Sequence, residues 1–200
     1  MITDQAFAEI IESSLDYFIA QSWQSDNFPR FGSLVCVSTD LYTIVGCVTQ
    51  IQTGSMDPSR YPFPYQKTEA QLKTEQPQIF AFLKTTFRVQ MIGYLDHKSS
   101  TPFFLLPPTP CKIHAFVFHA SQAIQKQFLA GSSFLHLLFS FANNVPNLDE
   151  LLLAILRTTP RSNKKEEQLF LRDFCHKFSM LTRSDYRRLK VFLERVQQIT

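Results

Sequence analysis

The stretch FFLLPPTPCKIHAF, residues 103–116, sets Cys111 and His114 in a Cys-x-x-His arrangement. A thiolate and an imidazole supply only part of what a tetrahedral zinc site requires. Further ligands are hard to find nearby. His119 lies five residues beyond His114, and on a continuous strand an odd separation turns two side chains to opposite faces. Cys175 and His176 are adjacent, so on a helix they diverge. The favoured reading makes Cys111 a packing residue at a corner and His114 the start of a strand. Neither a metal nor a cofactor is expected.

Other chemistries find less support. A serine nucleophile of the G-x-S-x-G type is missing. His97, His114, His119, His136 and His176 are scattered, and none stands beside a nucleophile with an orienting acid. His136 sits in an apolar run and reads as a packed core residue. Asp149 and Glu150 form a carboxylate pair, but at a helix start capping and the helix dipole account for them. No catalytic residue is assigned, and the chain is read as non-enzymatic.

Cations offer a different possibility. Residues 157–200 carry a net charge of +6, against −3 for residues 1–156. RSDYRRLK groups Arg183, Arg187, Arg188 and Lys190 within eight residues. Cations on one helix face attract phosphate non-specifically and with steep salt dependence. Five acids dilute this region, so nucleic-acid contact is the alternative reading and a solvated helix face the simpler one.

The elements that position these groups fall into three regions. In residues 4–22, Phe7, Ile10, Ile11, Leu15, Phe18 and Ile19 recur at helical spacing, with Thr3 or Asp4 as cap, which predicts an amphipathic N-terminal helix within residues 1–27. Residues 28–118 read as strands: SLVCVST and TIVGCVTQIQ joined by a turn, then 83–95, 102–106 and 113–118, with Gly46 and Gly93 at bulges or tight bends. Such short strands argue for a small antiparallel β-barrel. An excursion at 53–80 is too long for a hairpin loop. Its RYPFPY segment alternates proline with aromatics and should be extended, and TEAQLKTEQ should form a short helix ending before Pro77. Long loops often carry function, so Arg60, Tyr61, Phe63 and Tyr65 are the candidate partner contacts; covering an open barrel end is the competing role for the three aromatics. Residues 119–200 read as a helical domain, with helices near 120–129, 133–143, 148–157, 165–181 and 184–198. Asn147 with Glu150 begins one of them as a capping box would. In the last, Tyr186, Leu189, Leu193 and Val196 form the apolar stripe. The fold class is therefore α+β, a barrel followed by helices.

Four cysteines without a CxxC pair suit reduced, mostly buried thiols rather than a disulfide framework. The acidic N-terminus does not read as a signal peptide, and no apolar run is long enough to span a bilayer. A cytoplasmic location without membrane insertion is expected.

FGSLVCVSTDLYTIVGCVTQIQTG, then FRVQMIGYL, then LPPTPCKIHAFV, resembles the HAS-barrel, the small β-barrel at the amino terminus of HerA-type DNA-translocating ATPases and related to the first barrel of ATP synthase subunits. The shared features are a strand starting at Gly32, a strand over Ile44–Ile51, a later strand over Met91–Leu95, and a proline-rich corner before the closing strand. The insert EAQLKTEQPQIFAFLKTTF looks like cyanobacterial versions of such proteins. The chain departs from the family where the motor should follow: it has no G-x-x-x-x-G-K-[ST] and only five glycines. What the resemblance implies is therefore assembly and partner contact rather than ATP hydrolysis. The sequence reading is a protein-binding adaptor, accessory to a HerA-like ATPase or nuclease assembly or a similar complex.

Overall fold

The computed structural model describes residues 5–57, 59, 62–159, 164–182 and 185–198. Its strands are β1 (Ala8–Ser13), β2 (Tyr17–Ser22), β3 (Leu34–Ser38), β4 (Tyr42–Ser55), β5 (Leu83–Asp96), β6 (Pro102–Phe103) and β7 (Phe116–His119). The helices are α1 (Glu69–Glu75), α2 (Gln78–Ala81), α3 (Gln122–Leu129), α4 (Phe134–Ser140), α5 (Leu148–Thr158), α6 (Lys164–Leu181) and α7 (Tyr186–Gln197), with a 3-10 turn at Ala142–Asn144.

The sheet runs β2-β1-β7-β3-β4-β5 and returns from β5 to β2, which closes a six-stranded antiparallel barrel. β6 adds a short pairing to β5, with Tyr94 opposite Phe103. The predicted strands after residue 30 are all present, and Gly46 and Gly93 do lie at a bulge, where Val45 pairs with Gly93 and Gly46 with Met91. A Cβ on Gly46 would stand 2.3 Å from Val89 Cγ1, so the side chain is excluded by close packing of the two long strands.

The expected N-terminal helix is not formed. Residues 8–22 are instead the hairpin β1–β2, and they supply the two strands that close the barrel. A bulge misleads the periodicity. Ile10 pairs with Ala20 and Glu12 with Ile19, so Ile11 is an extra residue in β1. The inward set Phe7, Ala8, Ile10, Phe18 and Ala20 is buried, while Ile11 and Leu15 are exposed. One inserted residue and a turn converted a two-residue alternation into spacings of three and four.

Two apolar clusters organise the interior. One fills the barrel and includes Ile10, Phe18, Val35, Val37, Ile44, Val48, Phe87, Val89, Met91 and Val117. The other lies on the outside of β3, β4 and β5, where Leu34, Cys36, Val45, Cys47 and Ile92 pack against α3–α7. Strands β3 and β4 are thus buried on both faces, which explains their unbroken apolar runs. The helices match the five predicted ones closely, and Asn147 Oδ1 accepts from Glu150 N at 3.1 Å to cap α5. The stripe on α7 is centred elsewhere than expected. Phe192 and Val196 are buried, whereas Tyr186 is 78% exposed.

Helix α5 comes close to the barrel at Gly32. Its φ is +79°, and a Cβ there would lie 2.6 Å from Ala154 Cβ on α5. Gly32 N donates to Val48 O at 2.9 Å and Thr158 Oγ1 donates to Gly32 O at 3.3 Å, so the turn is tied to β4 and α5 together. Gly32→Ala is expected to cost about 1–3 kcal/mol from strain and overpacking. Adding Ala154→Gly should recover part of that cost in a double-mutant cycle by urea denaturation. A stability within about 0.5 kcal/mol of the parent would rule the close approach out.

Candidate functional site

The excursion leaves the far end of the β4–β5 hairpin, whose pairing continues to Ser55 opposite Leu83 and one bond further, Met56 N to Phe82 O at 2.8 Å. Two long paired strands therefore carry it. Thr68 begins α1 as a capping box: its hydroxyl accepts from Gln71 N at 3.3 Å, and Gln71 Oε1 accepts from Thr68 N at 2.9 Å. Ion pairs Lys67–Glu75 and Lys73–Glu69 brace this helix, which ends before Pro77 as its sequence predicts. The short α2 after Pro77 was not anticipated. Of the four predicted contact residues, Arg60 and Tyr61 lie outside the described residues. Phe63 is 70% exposed, and Tyr65 meets it edge to face at 5.8 Å. Phe63 therefore does not plug the barrel end. Met56 and Phe82 are also exposed at the base of the excursion, so apolar surface gathers at this end of the molecule.

The Cys-x-x-His corner separates its two chemical groups. Cys111 is buried against the barrel core, and burial pushes its thiol up to about 12. His114 has φ +67° and a side chain 77% exposed, with Nδ1 at 2.5 Å from Glu9 Oε1. Backbone bonds from His114 N to Ile10 O and from Ile10 N to Ala115 O tie the corner to β1. A thiol inside the barrel and an imidazole in solvent do not share a ligand. The other cysteines are free, with Cys36 and Cys47 buried and Cys175 half-buried. Desolvation raises the Cys36 thiol to about 12, and thiols so held are poor nucleophiles. His136, expected in the core, is exposed on α4 because the buried face of that helix is Phe134, Leu135 and Leu138.

The cationic stretch of the last helix divides in the same way. Arg183 lies outside the described residues. Arg188 is drawn into the structure: Nε donates to Asp149 Oδ2 at 3.0 Å and Nη2 to Asp149 Oδ1 at 2.6 Å, a two-pronged pair. That hydrogen bonding raises the Arg188 pKa further, and its guanidinium also lies 5.6 Å from the Phe139 ring. Asp149 is thus a partner of Arg188 as well as a first-turn acid. Lys190 is 4.0 Å from Glu194. Arg187 remains exposed. The three described cations do not form one phosphate-facing row.

A different cationic set surrounds a cleft between barrel and helices, with a volume of about 900 Å³. Its barrel side is the Phe28–Ser33 loop with Ile51 and His119; its helical side is one face of α5 and the end of α7. Glu150, Leu153, Ala154, Arg157 and Thr158 share that α5 face at helical spacing. Arg30 and Arg157 are exposed at its walls, and Arg195 Nη2 is 2.6 Å from Glu150 Oε1. The His119 ring lies flat on Phe7, centroids 4.1 Å apart. Cover on that face lowers its pKa by desolvation while its edge still meets solvent. Arg30, Arg157 and Arg195 were missed by sequence reasoning. They come from three distant segments, and the only local signal was the proline-flanked FPRFG turn.

These features define an α+β protein in which a closed barrel and a helical layer share a hydrophobic core. No protein-family profile matches the chain, and no curated protein matches it. Among the described residues, no helix is long and apolar enough to cross a membrane, and no three His, Cys, Asp or Glu side chains cluster as metal ligands would.

Proposed function

We propose that this chain is a non-catalytic cytoplasmic adaptor that assembles with another protein through the excursion between β4 and β5. The observation that carries the reading is Phe63, a large apolar ring 70% exposed in the run that leads into the braced helix α1. Exposed apolar groups gathered at one place mark interaction surfaces, and aromatic anchors supply much of the binding energy where partners meet. The resemblance of residues 28–118 to the HAS-barrel supports the same role and suggests an ATPase or nuclease assembly of the HerA type as its setting. A barrel by itself identifies no family, so the assignment rests on the motifs.

Affinity purification from the native cell tests this, run in parallel with the parent chain and a Phe63→Ala/Tyr65→Ala variant. A defined partner should accompany the parent and be depleted at least about tenfold with the variant, as loss of aromatic anchors implies. Both chains should melt at the same temperature, because neither side chain is part of a core cluster. A partner retained equally by both chains would remove the excursion from the contact.

A further inference from the structure

We propose that the cleft between the barrel and α5–α7 binds a phosphate-bearing small molecule with a planar ring, of mononucleotide size. Its volume, about 900 Å³, lies within the range of about 300–1,000 Å³ common to small-molecule sites. Among the described residues, three guanidinium groups line it, those of Arg30, Arg157 and Arg195, against one carboxylate, Glu150. That carboxylate sits on Arg195. Arg30 and Arg157 make no ion pair among the described residues, whose charges in the cleft therefore sum to a positive excess. Among the described residues its lining contains arginine and no lysine. A guanidinium is the less strongly hydrated cation and offers a planar fork that grips a phosphate through two bonds.

The rest of the lining fits the other half of such a ligand. Phe28 is 41% exposed beside Arg30, and Ile51, Leu153 and Ala154 provide apolar surface. A heteroaromatic ring can stack on Phe28 while its phosphates reach the arginines. The cation-bearing wall is also fixed in advance. Pro29 is buried, Arg30 O accepts from Ser33 N at 3.0 Å, and Gly32 is bonded to both β4 and α5. Little backbone ordering is then required on binding. A mononucleotide is favoured over a nucleic-acid strand because the described cations of α7 add only Arg187 as an exposed charge outside an ion pair, Lys190 meeting Glu194 and Arg188 being held by Asp149.

The test uses the full chain and a ribose-labelled fluorescent ADP at about 50 mM salt, where phosphate contacts are strong. Unlabelled ADP, inorganic pyrophosphate and a short single-stranded oligonucleotide serve as competitors. Saturable binding is expected, weakened about tenfold by Arg30→Gln or Arg157→Gln and more by the pair. Phe28→Ala should weaken ADP and leave pyrophosphate unchanged. Because both arginines are exposed, the variants should keep the parent's melting temperature. Should one fail to fold, amide shifts of the parent on adding ADP decide the matter: changes at Gly32, His119 and the Leu153–Thr158 turn support the site, and changes confined elsewhere overturn it. The proposal also falls if no saturation occurs up to about 1 mM or if the variants bind equally well. It falls as well if the oligonucleotide outcompetes ADP, which would make this a nucleic-acid surface.

Discussion

A chain beginning at Trp23, without β1 and β2, should lose its cooperative thermal transition and self-associate. The hairpin contributes Phe7, Ile10 and Phe18 to the barrel interior, each no more than 4% exposed, together with Ala8 and Ala20. Full burial of such large side chains is worth about 1.5–3 kcal/mol each, or roughly 5–9 kcal/mol for the three. Whole domains are stable by only about 5–15 kcal/mol. Truncation also strips β5 and β7 of partners, since Phe18 pairs with Val89, Ala20 with Phe87 and Ala8 with Val117. Unpaired edges beside exposed apolar residues recruit other chains. Calorimetry and size-exclusion chromatography of the truncated chain measure both effects. A cooperative melt within a few degrees of the parent, from a monomer, would show that the barrel does not need its own hairpin.

Phe192→Ala should be strongly destabilising to the helical layer, at about 3–5 kcal/mol. Phe192 is 1% exposed, its ring stacks on Phe178 at 4.0 Å between centroids, and Phe174 lies at 6.3 Å. These rings join α6 to α7, and α7 in turn is tied to α5 through Arg188–Asp149 and Arg195–Glu150. Truncation leaves a hole among close-packed rings that the surrounding helices fill only in part. The melting temperature should fall by roughly 10 °C for a chain of this size. Tyr186→Ala, on the same helix but exposed, should stay within about 0.5 kcal/mol. Equal effects from the two would mean that α7 buries the face centred on Tyr186 after all.

Those two residues show how far periodicity reaches. The spacing of Leu189, Leu193 and Val196 establishes a helix and roughly which side is apolar. It does not tell Tyr186 from Phe192 as the anchor, because that depends on where α6 crosses. The same holds at the other end of the chain. Phe7, Ile10, Ile11, Leu15, Phe18 and Ile19 satisfy a helical template, yet Ile11 is the bulged residue of a strand. A bulge is chosen by the partner strand, which local pattern does not contain.

Local chemistry by itself determined much of the rest. β-Branched runs made β3, β4 and β5 legible, glycines marked the bulge between the long strands, and Asn147, Thr68 and Pro77 placed helix boundaries, since each acts on backbone within a few residues. The excursion itself was legible from its length and prolines, whereas the exposure of Phe63 was not. Long-range geometry decided what remained: barrel closure by β1–β2, withdrawal of Arg188 to Asp149, and the meeting of Arg30, Arg157 and Arg195 around one cleft. Each of these depends on groups from distant segments of the chain being brought within a few ångströms, and only the packing of helices onto the barrel sets that separation.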